Sequence, residues 1–527
     1  MEKTYNDLMR EISRDELYRG LLAFGMFSEK LPPIFTSEGF FDYCQTKQHN
    51  FQDKPCQLIS YKNMRNTNVP RHLSIPNPFA YQLLCECLSD NWSDMLDFFD
   101  KNTKKNRHKV SRIHIRKMLD TEALFVMDYD IPSETPLRNE LLDMTYKDWR
   151  TDGTPETDML LGKRWVVNAD ISNCFPSIYT HSIPWAIAGK DVAKDDRTDR
   201  FWYNKIDKRG RNIKDGETNG LPIGPHTSNL LSEIILVAVD NELRNGKQKW
   251  DYVRNIDDYA CYVESREKAE LFLTELNRQI GKYNLSLNHK KTEILELPTA
   301  ATTHWVRRMD YISNFERKGR LDYKSVRAYL DLAVELMEKN SSNSSILKYA
   351  VKVLSRQEGL TTNANIYAVK TVMNLSVIYP YLVGLLDKYV FVPLGVNSFE
   401  IKKYCNVMLN SALISRNYEA AAYCVYFALK YKFVLVALNA DIGIDSGDCV
   451  FLVLLHLYFK ANKIKPEKKK LVKHAEDLAK SSVDFEQYWL FIYEILPKKD
   501  LPSDAKLREW KAIKEQDVSF IRKDILS

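Results

Sequence analysis

Asp257 and Asp258 stand side by side in the stretch Asp251-Tyr-Val-Arg-Asn-Ile-Asp-Asp-Tyr-Ala-Cys-Tyr-Val263, with apolar residues before and after them. A third acid, Asp170, closes a similar run, Trp165-Val-Val-Asn-Ala-Asp170. Gathering like charges beside apolar strands is costly unless a cation neutralises them. A β-turn that presents two acids, beside a strand that presents a third, suits two divalent metal ions. Such a pair serves phosphoryl transfer, one ion activating the attacking oxygen and the other stabilising the leaving one. The dipeptide alone is a weak signal, because adjacent acids are common in solvated turns. Its setting between two apolar strands, with Asp170 upstream, makes it specific.

Four further features fit the same chemistry, and each also has a plainer structural reading. In Asp170-Ile-Ser-Asn-Cys-Phe175 the acid ends a strand and a tight turn follows. The backbone N–H groups around Asn173 and Cys174 are expected to face a triphosphate, the Ile171 carbonyl to complete a metal shell, and Phe175 to lie under a sugar. A bulky ring there would reject a ribose 2′-OH; the plainer reading is a helix N-cap Asp before a core Phe. Asn219-Gly-Leu-Pro-Ile-Gly-Pro-His-Thr-Ser228 is a loop whose Gly224 lets a backbone or base come close, with Thr227 or Ser228 capping the next helix. It also reads as an ordinary loop-to-helix cap. Leu285-Ser-Leu-Asn-His-Lys-Lys-Thr-Glu293 offers Lys290 or Lys291 to a leaving pyrophosphate, or else is a solvated turn. In the basic run 101–117, Arg112, His114 and Arg116 alternate with Ile113 and Ile115, as on a half-buried strand with a cationic face. Arg112 and Arg116 are candidates for triphosphate or template contact; a solvated face is the alternative.

The elements that must position these groups follow from periodicity. Trp165–Ala169 reads as a strand, Ser228–Leu243 as a helix, then the hairpin around Asp257, a helix from Arg266 to Tyr283 and the extended segment Lys291–Leu297. Beyond about Ala300 the pattern becomes helical: Ser325–Glu338, Ile346–Ser355, Phe399–Ile414, Tyr418–Tyr431, Val450–Lys460 and Leu471–Lys480 suit stacked helix pairs. The expected fold class is α+β in three parts: 1–163, an N-terminal region; 164–310, the acid-bearing sheet; 311–527, an α-helical repeat. A chain of 527 residues is long enough for two or three cores. Its net charge of +6 permits a polyanionic partner without demanding one. The 9 cysteines lack zinc-finger spacing and are expected to be buried, reduced thiols of a cytoplasmic protein. Met1-Glu-Lys-Thr-Tyr leads into a charged stretch, so no signal peptide is expected, and no apolar run is long enough for a membrane span.

Taken in order, these segments resemble the fingers and palm motifs of reverse transcriptases, over roughly Arg71 to Arg307. Asp170-x-x-x-x-Phe175, Gly220-Leu-Pro-Ile-Gly-Pro, Asn255-Ile-Asp-Asp258 and Leu287-Asn-His-Lys-Lys-Thr match successive palm motifs, and Arg71-His-Leu-Ser-Ile-Pro-Asn-Pro-Phe-Ala-Tyr81 is similar to a fingers motif. Phe175-Pro-Ser-Ile-Tyr-Thr-His-Ser-Ile-Pro-Trp-Ala186, Pro222-Ile-Gly-Pro-His-Thr-Ser228 and Ser232-Glu-Ile resemble the bacterial abortive-infection, or defence-associated, class. That resemblance implies right-hand fingers and palm followed by a HEAT-like all-α domain. It implies an antiphage RNA-directed DNA polymerase that adds dNTPs with two Mg²⁺ ions (Mn²⁺ as a substitute) to make single-stranded DNA. Asp170, Asp257 and Asp258 would be its catalytic acids. A noncoding RNA template and a homo-oligomer, trimer or hexamer, are also implied; template-independent, protein-primed synthesis is the alternative. A non-catalytic RNA-binding scaffold is the reading from a different class. Two positions depart from the broader pattern: Asn255 replaces the usual Tyr of the acid box, and Ile223 replaces a common Gln.

Overall fold

The computed structural model describes residues 5–66, 69–103, 115, 155–299, 304–314, 321–357, 359–436, 438–501 and 508–525. The cationic face of Arg112, His114 and Arg116 lies outside them.

Two sheets and a large helical array make up the described chain. Strands β1 (Ile59–Asn66) and β2 (Val69–Ile75) form an antiparallel hairpin, with Asn63 opposite Arg71. The second sheet has the order β4–β5–β3–β6, with β3 Trp165–Asp170, β4 Asp251–Asn255, β5 Asp258–Val263 and β6 Glu293–Glu296, all pairings antiparallel. Alternation drives β5: Tyr259, Cys261 and Val263 are buried while Asp258 is exposed. Helix α1 (His226–Asn245) packs on this layer with Leu230, Leu231, Ile234 and Ile235 fully buried. Each such side chain contributes roughly 1.5–3 kcal/mol on leaving water. Helix α2 (Arg266–Gly281) starts where Ser265 accepts from the Lys268 amide, and buries Phe272, Leu276 and Ile280 against the sheet.

The helical half matches its expected elements to within a turn in most cases. Helix α3 (Ser344–Leu354) packs on Tyr323–Lys339, and Ser398–Ile414 packs on α4 (Tyr418–Lys430), which in turn meets Cys449–Ala461. One expected helix, Leu471–Lys480, starts earlier, at Lys465, because Pro466 fits a first helical turn. The end of the chain returns to its beginning. Thr36 donates to the Phe520 carbonyl at 2.9 Å and Arg522 to the Ile34 carbonyl at 2.8 Å. Trp489, Trp510 and Phe520 complete an aromatic cluster with Phe40 and Phe79. All 9 cysteines are free thiols, and all but Cys44 are buried. Among the described residues no helix is long and apolar enough to cross a membrane.

Candidate active site

The three acids meet at one end of the four-stranded sheet. Asp170 lies directly across from Asp258 in the β3–β5 pairing, and Asn255 lies across from Asp258 in β4–β5. Ile256 and Asp257 alone connect those two strands, so Asp257 sits at the tip of a two-residue turn. The Ile171 amide donates to the Asp257 carbonyl at 3.1 Å, which ties the turn to β3.

Ile256 adopts a left-handed φ of 54° and is 6% exposed. A β-branched residue in that region is a true outlier, held at a cost on the order of 1–3 kcal/mol. What holds it is Arg254, whose Nη1 donates to the Ile256 carbonyl at 2.8 Å. The same guanidinium grips Asp240 from Nε at 2.9 Å and Nη2 at 2.7 Å, and Glu233 from Nη1 at 3.0 Å and Nη2 at 3.2 Å. All three side chains are buried. Burial pushes Asp240 up to about 6 despite the Arg254 charge.

Asp170 is held from the loop that follows α2. Its carbonyl accepts from the Asn288 amide at 2.7 Å, its Oδ1 from Asn288 Nδ2 at 3.1 Å and its Oδ2 from Lys291 Nζ at 2.6 Å. Lys291, rather than Lys290, is therefore the lysine that reaches the acids; Lys290 is exposed. Burial raises the Asp257 carboxyl and the Asp170 charge adds to it, while Lys291 and Arg71 pull it back. Although its side chain keeps contact with solvent, partial desolvation at the sheet end, the Asp257 charge and a hydrogen bond with Asp170 push Asp258 up to about 7.

These groups fit divalent cations by their chemistry: three carboxylates converge on one sheet end against a single contacting ammonium. The fit is one of composition and backbone placement. Among the described residues no three ligating side chains already surround a common point, and the Lys291 ammonium sits on Asp170. The Ile171 carbonyl accepts no hydrogen bond among the described residues, so it remains open as a ligand.

Several expectations around the turn after β3 need revision. The amides of Ile171 and Ser172 are spent on the carbonyls of Asp257 and Ser286, leaving less of the turn to face a triphosphate. Asn173 is exposed at a left-handed φ of 45°, whereas Cys174 is buried, with its thiol pushed up by burial and by Asp257. Cys174 can therefore meet a ligand through its backbone alone. Phe175 is half-buried, and its carbonyl accepts from the Leu221 amide at 2.8 Å. Gly224 admits a backbone, as expected, but that backbone belongs to β2. The Ser74 amide donates to the Ile223 carbonyl at 2.8 Å, and a Cβ on Gly224 would lie 3.2 Å from the Ser74 carbonyl oxygen at a φ of 128°. Thr227 and Ser228 do not cap α1; the helix begins at His226 without a side-chain cap, and both are buried in its first turn.

Sequence reading missed Arg254, Glu233, Asp240, Asn288 and Arg71. One signal was available: Glu233 and Asp240 are seven residues apart, on one face of a helix that is wholly apolar between them, and Arg254 is the one cation of its short strand.

Residues 117–326 match the family model described as reverse transcriptase (RNA-dependent DNA polymerase). No curated protein matches the chain in sequence. Among solved structures, apo telomerase of Candida tropicalis truncated from its C-terminal domain is 14% identical over 50% of this chain and 55% of its own, with a TM-score of 0.26. Telomerase of Candida albicans, in complex with a fragment of telomeric RNA, is 10% identical over 69% of this chain and 62% of its own, with a TM-score of 0.27. Apo Candida tropicalis telomerase is 12% identical over 78% of this chain and 71% of its own, with a TM-score of 0.28. None of these overlaps reaches the level at which two chains share a fold, and the chain spans just over half the length of the first. The family match stands apart from them and covers all three acids: the chain carries a reverse transcriptase domain, an RNA-directed DNA polymerase module of the nucleotidyltransferase class.

Proposed function

We propose that the chain is a defence-type reverse transcriptase that makes single-stranded DNA from dNTPs on a noncoding RNA template. The observation that carries this reading is Asp170 opposite Asp258, with Asp257 at the adjoining turn. Asp170, Asp257, Asp258 and the Ile171 carbonyl would hold two Mg²⁺ ions, or Mn²⁺ in their place. Bound there, the ions would lower the pKa of an attacking hydroxyl and offset charge on the phosphates. The chain's own groups do the rest. Phe175 lies under the sugar and excludes a 2′-OH; Lys291, released from Asp170, meets the pyrophosphate; Arg112 and Arg116 contact the triphosphate or template. A 3′-hydroxyl, or a protein hydroxyl, attacks the α-phosphorus, and the bond to pyrophosphate breaks in line.

The antiphage role draws support from the Phe175–Ala186 and Pro222–Ser228 strings and from the helical half. For that half we propose a HEAT-like repeat and a trimeric or hexameric assembly. The test is dNTP incorporation with Mg²⁺ by the purified chain, with and without RNA, beside Asp257→Ala/Asp258→Ala. A loss of at least ~10²–10³-fold is expected, by the scale of single charge-stabilising groups, and undiminished incorporation refutes the assignment. Incorporation that needs no RNA transfers the reading to template-independent, protein-primed synthesis. One observation favours a non-catalytic RNA-binding scaffold: an ammonium, Lys291, already satisfies Asp170. Absence of incorporation by the unaltered chain would select it.

A further inference from the structure

Five cations from four separate parts of the chain face one another where the β1–β2 hairpin meets the helical half. Lys30 comes from the N-terminal loop, Arg65 from the hairpin tip, Lys348 and Lys352 from α3, and Lys388 from the segment after Thr362–Ile378. Hydrogen bonds fix this meeting. Ser344, at the start of α3, donates its hydroxyl to the Arg65 carbonyl at 2.9 Å and its amide to Asn66 Oδ1 at 3.1 Å. The Tyr423 hydroxyl donates to the Lys30 carbonyl at 3.2 Å.

Among the described residues none of the five cations forms an ion pair. The nearby acids offset them only in part. Glu29 acts on Lys352 from a distance, and Glu419 is buried beneath the cluster, where it accepts from the Met64 amide at 2.6 Å and from Asn63. Burial pushes Glu419 up to about 8, so near neutrality it is largely uncharged. Burial and then the Lys30 charge pull Lys348 down to about 8, the mark of an ammonium held without its anion. Tyrosine rings lie among the cations: Lys348 Nζ is 5.1 Å from the Tyr381 ring centre, and Lys352 and Lys388 are 5.6 and 5.7 Å from that of Tyr389. Tyr381 is buried, whereas Tyr389 is half-buried and keeps a face for stacking.

The hairpin joins this patch to the acids. Arg71 on β2 is near enough to lower the Asp257 carboxyl, and its cross-strand neighbour Asn63, about 5 Å away in any sheet, is the residue bonded to Glu419. Cations that outnumber their acids, aromatic faces between them and a direct line to the catalytic end make a track for a chain of phosphodiesters.

We propose that Lys30, Arg65, Lys348, Lys352 and Lys388, with Tyr389 as a stacking face, bind the backbone of a single nucleic-acid strand running between the catalytic acids and the helical half. The inference rests on the polymerase reading for the strand's presence, but its test does not need catalysis. Fluorescent 30-nucleotide oligo(dT) and oligo(U) are titrated onto the full chain without metal or dNTP, across a salt series, for the unaltered protein and Lys348→Gln/Lys352→Gln/Lys388→Gln. Expected are a roughly tenfold weaker Kd and a log–log salt slope shallower by about 2, at ~0.7 per phosphate contact on single strands. Loss in the DNA arm assigns the track to the departing product, loss in the RNA arm to the template, and loss in both to either strand's backbone. Unchanged Kd and slope in both arms overturn the proposal. So does polyglutamate bound as tightly as the oligonucleotides and weakened equally, since an acidic protein would then fit as well. Removing crowded like charges should leave the fold intact. Should the triple variant fail to fold, Lys388→Gln with Tyr389→Leu, both on a partly exposed face, gives the same readout. Because the binding readout uses neither metal nor dNTP, failure of this track is read apart from failure of the active site, which Asp257→Ala/Asp258→Ala reports.

Discussion

Replacing Arg254 with methionine removes a guanidinium that is 0% exposed and makes five hydrogen bonds, four to Asp240 and Glu233 and one to the Ile256 carbonyl. Two effects separate. The first is stability: two buried carboxylates lose the cation they share, and breaking a buried pair from one side costs about 3–5 kcal/mol. For a domain of 150–250 residues that lowers Tm on the order of 10 °C. The loss should shrink at acid pH, because Asp240, already at about 6, can take a proton in place of the missing charge. The second effect is positional. Without its donor the Ile256 carbonyl is left unpaired, at about 1–3 kcal/mol, and the turn can relax from its left-handed φ of 54°. Asp257 is the next residue, so kcat for dNTP incorporation falls while KM for dNTP holds. The control is Arg254→Met with Glu233→Gln and Asp240→Asn. Neutralising all three members of a buried ionic cluster is often close to neutral for stability, so Tm recovers. The carbonyl tether is still missing, so kcat stays low. Recovery of kcat along with Tm would refute the argument that Arg254 acts through the turn, and so would an Arg254→Met protein unchanged in both.

Three further outcomes follow from particular contacts. Glu419 has an ordinary value of 4.5 and stands at about 8 in the fold, so the folded chain holds more protons between those pH values and its stability falls as pH rises through that window. Glu419→Gln should flatten that slope, a swing on the order of a few kcal/mol, in thermal melts at pH 5 and 8; Lys348, which titrates at about 8, acts above the window. Phe175→Ala should raise rNTP relative to dNTP incorporation by tenfold or more, and an unchanged ratio would remove Phe175 from beneath the sugar. Gly220→Ala places a Cβ 2.9 Å from the Pro176 carbonyl at a φ of 87°, so incorporation should drop at least tenfold as the loop behind Phe175 shifts; full activity would show that this loop does not set the site.

How far the site was legible depended on whether a residue declares its role through its neighbours in sequence. Asp257 and Asp258 did so, because apolar strands on either side of an acid pair demand a cation, and the register then put Asp170 opposite Asp258. The helical half was legible to within a turn for most helices, since a 3.6-residue apolar stripe needs no distant information. Lys291 could not be told from Lys290, because the choice is made by where Asp170 lies across the sheet. Gly224 announced a close approach but not its partner; Ser74 is about 150 residues earlier and its carbonyl carries no side-chain signal. Arg254 illustrates the limit. In sequence it is one charge in a strand, and what makes it structural is a pair of acids on a helix that folds over it. Thr227 and Ser228 show the converse error, in which capping propensity pointed to a role that the β2 hairpin and the His226 amide, bonded to the Gly25 carbonyl at 2.8 Å, had already taken away. Local chemistry thus pointed to the acids that the fold brings together, while the groups that hold them were hidden because their reasons lie across the fold. The Arg254 series tests that division directly: it should alter the geometry of acids whose own sequence motif is untouched.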